Sequence, residues 1–476
     1  MTSFEIDVRR EDDGDLAGIA IRADGVTLTR LMRPNNPVAS DYLVAPPVQL
    51  AFWVIDHWWR LRWECLPAAG LSAVWRLSHD LSSIGGGFAW PRLTLWGEED
   101  RVGLFVQSDP VGVVGPVRYL VDSQVLFVPA KKFEQEIDDF LSNALDSHVD
   151  DKADRAALRS ALTSLRAERG DTALAEWRRL EARLGYDPDE APSHTMDELA
   201  ELAERYGLGG IEEAAAAAPG ADAGAIVRQE IDAAVASHLE CDFGVALSKG
   251  PLPSLAIESD QTATRPVRKT RTVPVPVYDI PRYPMLRSEL PWKAAEQAAD
   301  WVRIGQGVGR GPLRNKRLAE LLGTRKEAFD PVPKPGVATR PYGIRLKNES
   351  GSRDRIVLRS RWPQARRFEM ARALGDAIWA DHDKLGPLAA SNTSRQKFQR
   401  AFAQSLLCPF DDLMAYMGAE RPGASDVEAA ARHFHVSEQV VRTVLVNKGI
   451  LGQANLSMHE QGSAQPHQFA EAVDGT

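Results

Sequence analysis

The stretch RRFEMARALGDAIW, Arg366 to Trp379, decides how the C-terminal part of this chain is read. Its Ala, Leu and Met content predicts a helix. Arg372 and Asp376 interrupt the apolar run at i and i+4, one helical turn apart, a spacing that lets them pair. On a buried face, that pair fills the interior as a structural salt bridge. Working outward, YGIRLKNESGSRDRIVLRS alternates as a strand pair turning at Glu349-Ser350-Gly351. Before it, PWKAAEQAADWVRIGQGVGRGPLRNKRLAELLGT reads as two short helices around a Gly-rich turn. After it, RQKFQRAFAQSLLCPFDDLMAYM reads as one helix, and SDVEAAARHFHVSEQVVRTVLVNKGIL has a helix–turn–helix pattern. The polar tail 457–476 is expected to be disordered.

Further out, residues 246–284 are rich in Pro, Thr and Arg without apolar periodicity, which predicts an extended linker. Its basic residues Arg265, Arg268, Lys269 and Arg271 are read as solvated. Residues 131–245 repeat apolar positions at three/four spacing and form a helical region, broken at Gly185 and Asp187-Pro188. The run from Glu213 to Pro219 is read as a helix end. Residues 1–130 are β-rich, with strands in GIAIRADGVTLTRLM, RLTLWGEEDRVGLFVQS and VRYLVDSQVLFVP. Seven of the twelve tryptophans fall between Trp53 and Trp96, predicting a bulky aromatic core. Within it, FWVIDHWWRLRW reads as a helix with Phe52, Ile55, Trp59 and Trp63 on one face. His79-Asp80 before Gly85-Gly86-Gly87, and Asp56-His57, pair an imidazole with a carboxylate. The glycine run lacks the spacing and the lysine of a phosphate loop, so it is read as a helix-to-strand turn.

The 476 residues predict several domains, at roughly 100–200 residues each. The fold class expected is α+β multidomain: a β-rich, Trp-rich N-terminal domain, a helical middle and an α+β C-terminal domain, 285–456. No apolar run reaches the ~18 residues of a membrane span. The charged N-terminus lacks a signal-peptide core. Cys65, Cys241 and Cys408 are dispersed and outside any Cys-x-x-Cys motif, which fits a cytoplasmic protein rather than a disulfide framework. Net charge is −9, unevenly spread: residues 261–476 carry 33 Lys and Arg against 22 Asp and Glu, and residues 1–260 carry 24 against 44. Opposite charge predicts that the two halves dock on each other, with nucleic acid on the basic half as the alternative.

Residues 285–452 resemble the ImmA/IrrE-type metallo-endopeptidase family. That family orders a strand hairpin, an Arg-Phe-x-x-Ala-His-Glu-Leu-Gly-His helix, a Phe-Ala-x-x-Leu-Leu-x-Pro helix and a Phe-x-Val-Ser closing segment. The second helix matches here as Phe402-Ala403-Gln404-Ser405-Leu406-Leu407-Cys408-Pro409, and the closing segment as Phe434-His435-Val436-Ser437. The resemblance implies a zincin-like fold with two histidines one turn apart on zinc, a glutamate base and a carboxylate from the next helix. Residue by residue, the first ligand position holds Arg372, the base position Ala373 and the second ligand position Asp376. Gln396 and Lys397 fall where the third ligand is expected. The motif is degenerate.

The function expected is therefore that of a catalytically inactive, peptidase-like binding or regulatory protein with a protein partner and no cofactor. The resemblance implies a stress-response, mobile-element or phage-defence setting. One alternative is an active zinc peptidase with relocated ligands, drawn from Asp376, His382, His433 and His435, with Asp381 and Asp383 beside them. Another is a DNA-binding regulator reading bases with Gln439 and Arg442 on the second helix of the helix–turn–helix pattern.

Overall fold

The computed structural model describes residues 3–11, 16–33, 36–67, 70–109, 117–147, 152–247, 290–331, 340–348, 353–380, 382–418 and 422–452. The expected linker from residue 248 on, the turn at Glu349-Ser350-Gly351, Asp381 and the tail 457–476 lie outside them. The chain is mixed α+β. No helix among the described residues is long and apolar enough to cross a membrane. Packing divides the chain into two units that do not follow sequence order: Met1–Asp232 with Asp383–Gln396 and Arg442–Thr476, and Ala233–His382 with Lys397–Val441.

The first unit opens with β1 (Phe4–Arg10), β2 (Ala17–Ala23), β3 (Val26–Thr27), β4 (Leu31–Arg33), β5 (Asn36–Ser40) and β6 (Leu43–Ala45). Strand β1 pairs antiparallel with β2 from Phe4↔Ala23 to Arg10↔Ala17. Phe4, Ile6 and Val8 alternate with Glu5, Asp7 and Arg9, with Phe4 buried and Ile6 and Val8 packed half-buried on the core, but the sequence reading took this stretch only as a charged N-terminus. Helix α1 (Pro47–Trp63) starts with Pro47, which fits a first turn that needs no amide donor there. Helix α2 (Ala73–His79), β7 (Leu93–Glu98), β8 (Arg101–Val106), β9 (Arg118–Tyr119) and β10 (Gln124–Pro129) follow, and β10-β8-β7 form one sheet.

Helix α1 is the anchor of this unit, but not through the single face expected. Leu50, Val54, Trp58 and Leu61 are buried, and so are Trp53 and Trp59 on other faces. Phe52, Ile55 and Trp63 are half-buried. Trp63 instead offers its ring to guanidiniums, a cation–π arrangement. Those of Arg62 and Arg179 lie 4.1 and 4.4 Å from its centroid. Strand β7 approaches the end of α1 so closely that a Cβ at Gly97 would sit 1.8 Å from the Arg62 carbonyl oxygen. Six of the seven tryptophans between Trp53 and Trp96 are buried, all but Trp63, in line with the aromatic core that composition predicted. Gly85, Gly86 and Gly87 take positive φ angles in the turn before β7, a conformation that glycine adopts without steric cost.

Helices α3 (Ala130–Ser147), α4 (Lys152–Gly170), α5 (Thr172–Arg183), α6 (Ser193–Tyr206), α7 (Leu208–Ala217) and α8 (Ala223–Val235) complete the N-terminal run. Phe133, Ile137, Phe140 and Leu141 of α3 and Leu158 and Leu162 of α4 join Phe4, Ile19, Trp58 and Leu104 in one hydrophobic core. Residue 130 is thus where strands give way to helices inside one unit. The strand Leu385–Leu388 belongs to the same unit, with Gly210 of α7 placed so that a Cβ would meet the Leu385 carbonyl at 2.5 Å.

The second unit contains β11 (Glu240–Cys241), α9 (Gly244–Leu247), α10 (Pro291–Gly305), α11 (Asn315–Leu321), β12 (Gly343–Leu346), β13 (Asp354–Val357), α12 (Pro363–Trp379), α13 (Ser394–Leu407) from Lys397 on, α14 (Phe410–Met417), α15 (Ala424–Phe434) and the first turn of α16 (Glu438–Asn447). The expected hairpin forms, with Arg345 opposite Ile356, and β11 adds to the far edge of β13. The single helix expected over RQKFQRAFAQSLLCPFDDLMAYM is two, because Pro409 cannot continue α13 and instead precedes α14. The buried Arg303 of α10 donates to the Leu406 carbonyl at 2.7 Å. That bond satisfies an acceptor that the helix end leaves open.

Candidate functional site

Helix α12 forms over the opening stretch, with Pro363 in its first turn. It is buried on nearly every side: Arg367, Glu369, Arg372 and Asp376 are as enclosed as Met370, Ala371, Ala373 and Leu374. A helix so enclosed must satisfy its charges within the protein. Glu369 accepts from the Ser360 hydroxyl at 2.7 Å and from its amide at 3.2 Å. Arg367 fans out to carbonyls, donating to His435 O at 3.0 Å and Leu313 O at 2.6 Å, and also to Asn315. Burial pushes the Arg367 guanidinium down, to about 10.

Arg372 and Asp376 are linked through a third residue. Gln399 of α13 donates from Nε2 to Asp376 Oδ1 at 2.6 Å and accepts from Arg372 Nη2 at 3.1 Å. The second Asp376 oxygen accepts from Arg345 Nε of β12 at 2.8 Å. Arg345 continues to Asp354 at 3.0 Å and to the Ala380 carbonyl at 3.1 Å. Strand, helix and neighbouring helix are tied by one chain of charge-assisted bonds, Arg345–Asp376–Gln399–Arg372. Burial pushes the Arg372 guanidinium below its ordinary value. Arg400 and Arg359 push it the same way, against Glu369 and Asp376. Gly375 lets α13 approach, since a Cβ there would meet the Phe402 ring at 2.9 Å.

Gln399 is a residue the sequence reading missed. The resemblance points to Gln396 and Lys397, and the residue found is one helical turn beyond Gln396. Gln396 lies elsewhere, donating to Pro387 O at 2.8 Å and accepting from the Ala389 amide at 2.9 Å. His382 is exposed. His433 stacks on Tyr416, ring centroids 4.0 Å apart. His435 caps α15 in a left-handed conformation, φ 55°. Asp383 accepts from Arg395 Nη1 at 2.6 Å. Among the described residues no three or more His, Cys, Asp or Glu side chains come together as a metal site. Helices α15 and α16 are joined by His435-Val436-Ser437. Gln439 is exposed, Arg442 is half-buried, and Val440 and Val441 are buried.

The residues around Arg372 do not fit zinc. A guanidinium carries permanent charge of the ion's own sign. Ala373 has no group to accept a proton, and both Asp376 oxygens already accept hydrogen bonds. A carboxylate so occupied is poorly placed to act as a general base.

A second buried polar cluster, in the first unit, was not foreseen. Glu213, read only as part of a helix end, is buried in α7 and accepts from the Thr393 hydroxyl at 2.7 Å and from Gln396 Nε2 at 3.3 Å. Burial, reinforced by Glu99, pushes its carboxyl up to about 7 against the opposing pull of Arg183. Arg183 lies 2.5 Å from the Cys65 sulfur, and Arg179 donates to Glu212 at 2.8 Å. The signal was available in part: adjacent glutamates inside an alanine-rich helix, on a face whose burial periodicity alone does not reveal. The pairs His79-Asp80 and Asp56-His57 do not form catalytic dyads. His79 is buried against Trp75 and bonded to Leu95 O and Glu64, while Asp80 accepts from the Ser82 amide. His57 faces Asp187 at 3.5 Å. Compared with protein-family models, with curated proteins and with solved structures, the chain matches none.

Proposed function

We propose that this chain is a peptidase-like binding or regulatory protein, a degenerate zincin of ImmA/IrrE type, acting on a protein partner in the cytoplasm. The observation that carries the reading is the Arg345–Asp376–Gln399–Arg372 chain. It occupies the places at which the resemblance puts two zinc ligands, and it uses their side chains to hold the scaffold. The fold is retained for what it binds, and no step of hydrolysis runs through these residues.

Metal content tests this reading. Protein purified without an affinity tag and measured by plasma mass spectrometry is expected to hold well under one zinc per chain. Near one zinc per chain, lost on His382→Ala or His433→Ala, would establish the relocated-ligand peptidase instead. The nucleic-acid alternative draws on the short α15–α16 turn and the exposed Gln439. It requires duplex affinity that falls steeply with salt and weakens on Arg442→Ala.

A further inference from the structure

The second unit holds an open cleft of about 620 Å³ lined in part by the His435-Val436-Ser437 turn that Arg367 anchors. Trp362 forms one wall, 61% exposed although it is among the largest side chains in the chain. The guanidinium of Arg361 lies 4.9 Å from its ring centroid. The ring thus already accepts a cation. Ala365, Ala431 and Val436 supply apolar surface, and Glu428 and Glu438 carry carboxylates on the lining. Arg432, also on the lining, reaches Glu428 at only 3.8 Å, with side chains 73% and 57% exposed. An exposed pair at that distance contributes little and is readily exchanged. His435 completes the wall. Burial and the Arg367 and Arg314 guanidiniums push its imidazole below the ordinary value.

Apolar surface beside an aromatic ring and carboxylates suits a side chain with an aliphatic stem and a cationic head. We propose that this cleft takes a lysine or arginine side chain from a basic peptide segment of a partner protein, the head displacing Arg432 from Glu428 beside Trp362. The volume is that of a small-ligand pocket, enough for an anchor side chain and its neighbours. An acidic ligand would meet Glu428 and Glu438 as well as Arg432, and the face of the Trp362 ring attracts cations rather than anions. A nucleic-acid strand could stack on Trp362 but would bring its phosphates to the same carboxylates.

The proposal extends the binding reading above to a partner chemistry, and it rests on that reading only for the partner being a protein. Zinc content and peptide binding are separate measurements, so either can fail alone. The test is fluorescence anisotropy of fluorescein-labelled hexalysine, hexaglutamate and a single-stranded oligonucleotide with the full-length chain. Hexalysine is expected to bind most tightly. Trp362→Ala and Glu428→Gln should each weaken it roughly threefold or more, the scale of an exposed cation–π contact. Arg432→Ala should strengthen it, because the internal competitor is gone. Hexalysine affinity unchanged by Trp362→Ala and Glu428→Gln would place any binding on the acidic surface elsewhere and overturn the proposal. Weakening by Arg432→Ala, or preference for hexaglutamate or the oligonucleotide, would overturn it as well. All three altered residues are exposed, and thermal melts matching the unaltered chain verify that the variants fold.

Discussion

Asp376 is the most consequential single carboxylate in the second unit, because Arg345 and Gln399 both donate to it in the interior. Removing one partner of a buried ion pair strands the other, a cost of roughly 3–5 kcal/mol, whereas replacing the pair with apolar groups of similar volume is often near neutral. Asp376→Ala is thus expected to lower unfolding free energy by roughly that amount in urea titration, and Arg345→Met with Asp376→Leu by much less. Equal losses would mean the pair is not what the site depends on. Glu213 contributes a pH dependence to the first unit. Its pKa is raised in the folded state from 4.5 to about 7, so the folded chain holds a proton that the unfolded chain releases. The associated stability is fully present below about 4.5 and is lost as pH rises toward about 7. Glu213→Gln, which keeps a hydrogen-bonding group without the charge, is expected to flatten melting temperature against pH across that window. An unchanged slope would assign the dependence to other groups.

Between elements, two glycines mark close approaches, and magnitudes separate their expected effects. At Gly97 an added Cβ meets backbone, the Arg62 carbonyl, at 1.8 Å, and neither β7 nor the end of α1 can yield without shifting. At Gly375 the contact is the buried Phe402 ring at 2.9 Å. Alanine recovers about 1 kcal/mol of helix propensity there. Overpacking costs about 1–3 kcal/mol and occasionally more. Gly97→Ala should therefore fall at or above the top of that range, and Gly375→Ala near the bottom, both read by chemical denaturation. Elements with strong local signals were legible in the sequence: α12 behind Pro363, the β12–β13 hairpin and the Trp-rich α1. Strand β1 was legible but passed over: Phe4, Ile6 and Val8 alternate with Glu5, Asp7 and Arg9, yet the stretch was read only for its charge. The partner of Asp376 was not legible, since periodicity gives the face of a helix but not its axial offset against a neighbour, and an error of one turn exchanged Gln396 for Gln399.

For the whole molecule, composition suggested boundaries in sequence order, at 130, 245 and 284, while packing gathers distant segments into one unit. Charge and proline content change along the chain, but neither reports which later segment returns to an earlier core. Asn392 donates to the Leu66 carbonyl at 3.2 Å, and Thr393 to Glu213. A fragment ending at residue 245 would leave both acceptors without these donors. It is expected to melt below the full-length chain and to lose hydrogen-exchange protection in α7, and protection equal to that of the full chain would refute the dependence. The Thr393–Glu213 bond spans 180 residues. At about 5–20 residues per second of synthesis, roughly 10–40 s separate the emergence of its two ends. For that interval the nascent chain carries Glu213 without its closing partners, and chaperones and proteases meet this protein first in a state that the finished fold conceals.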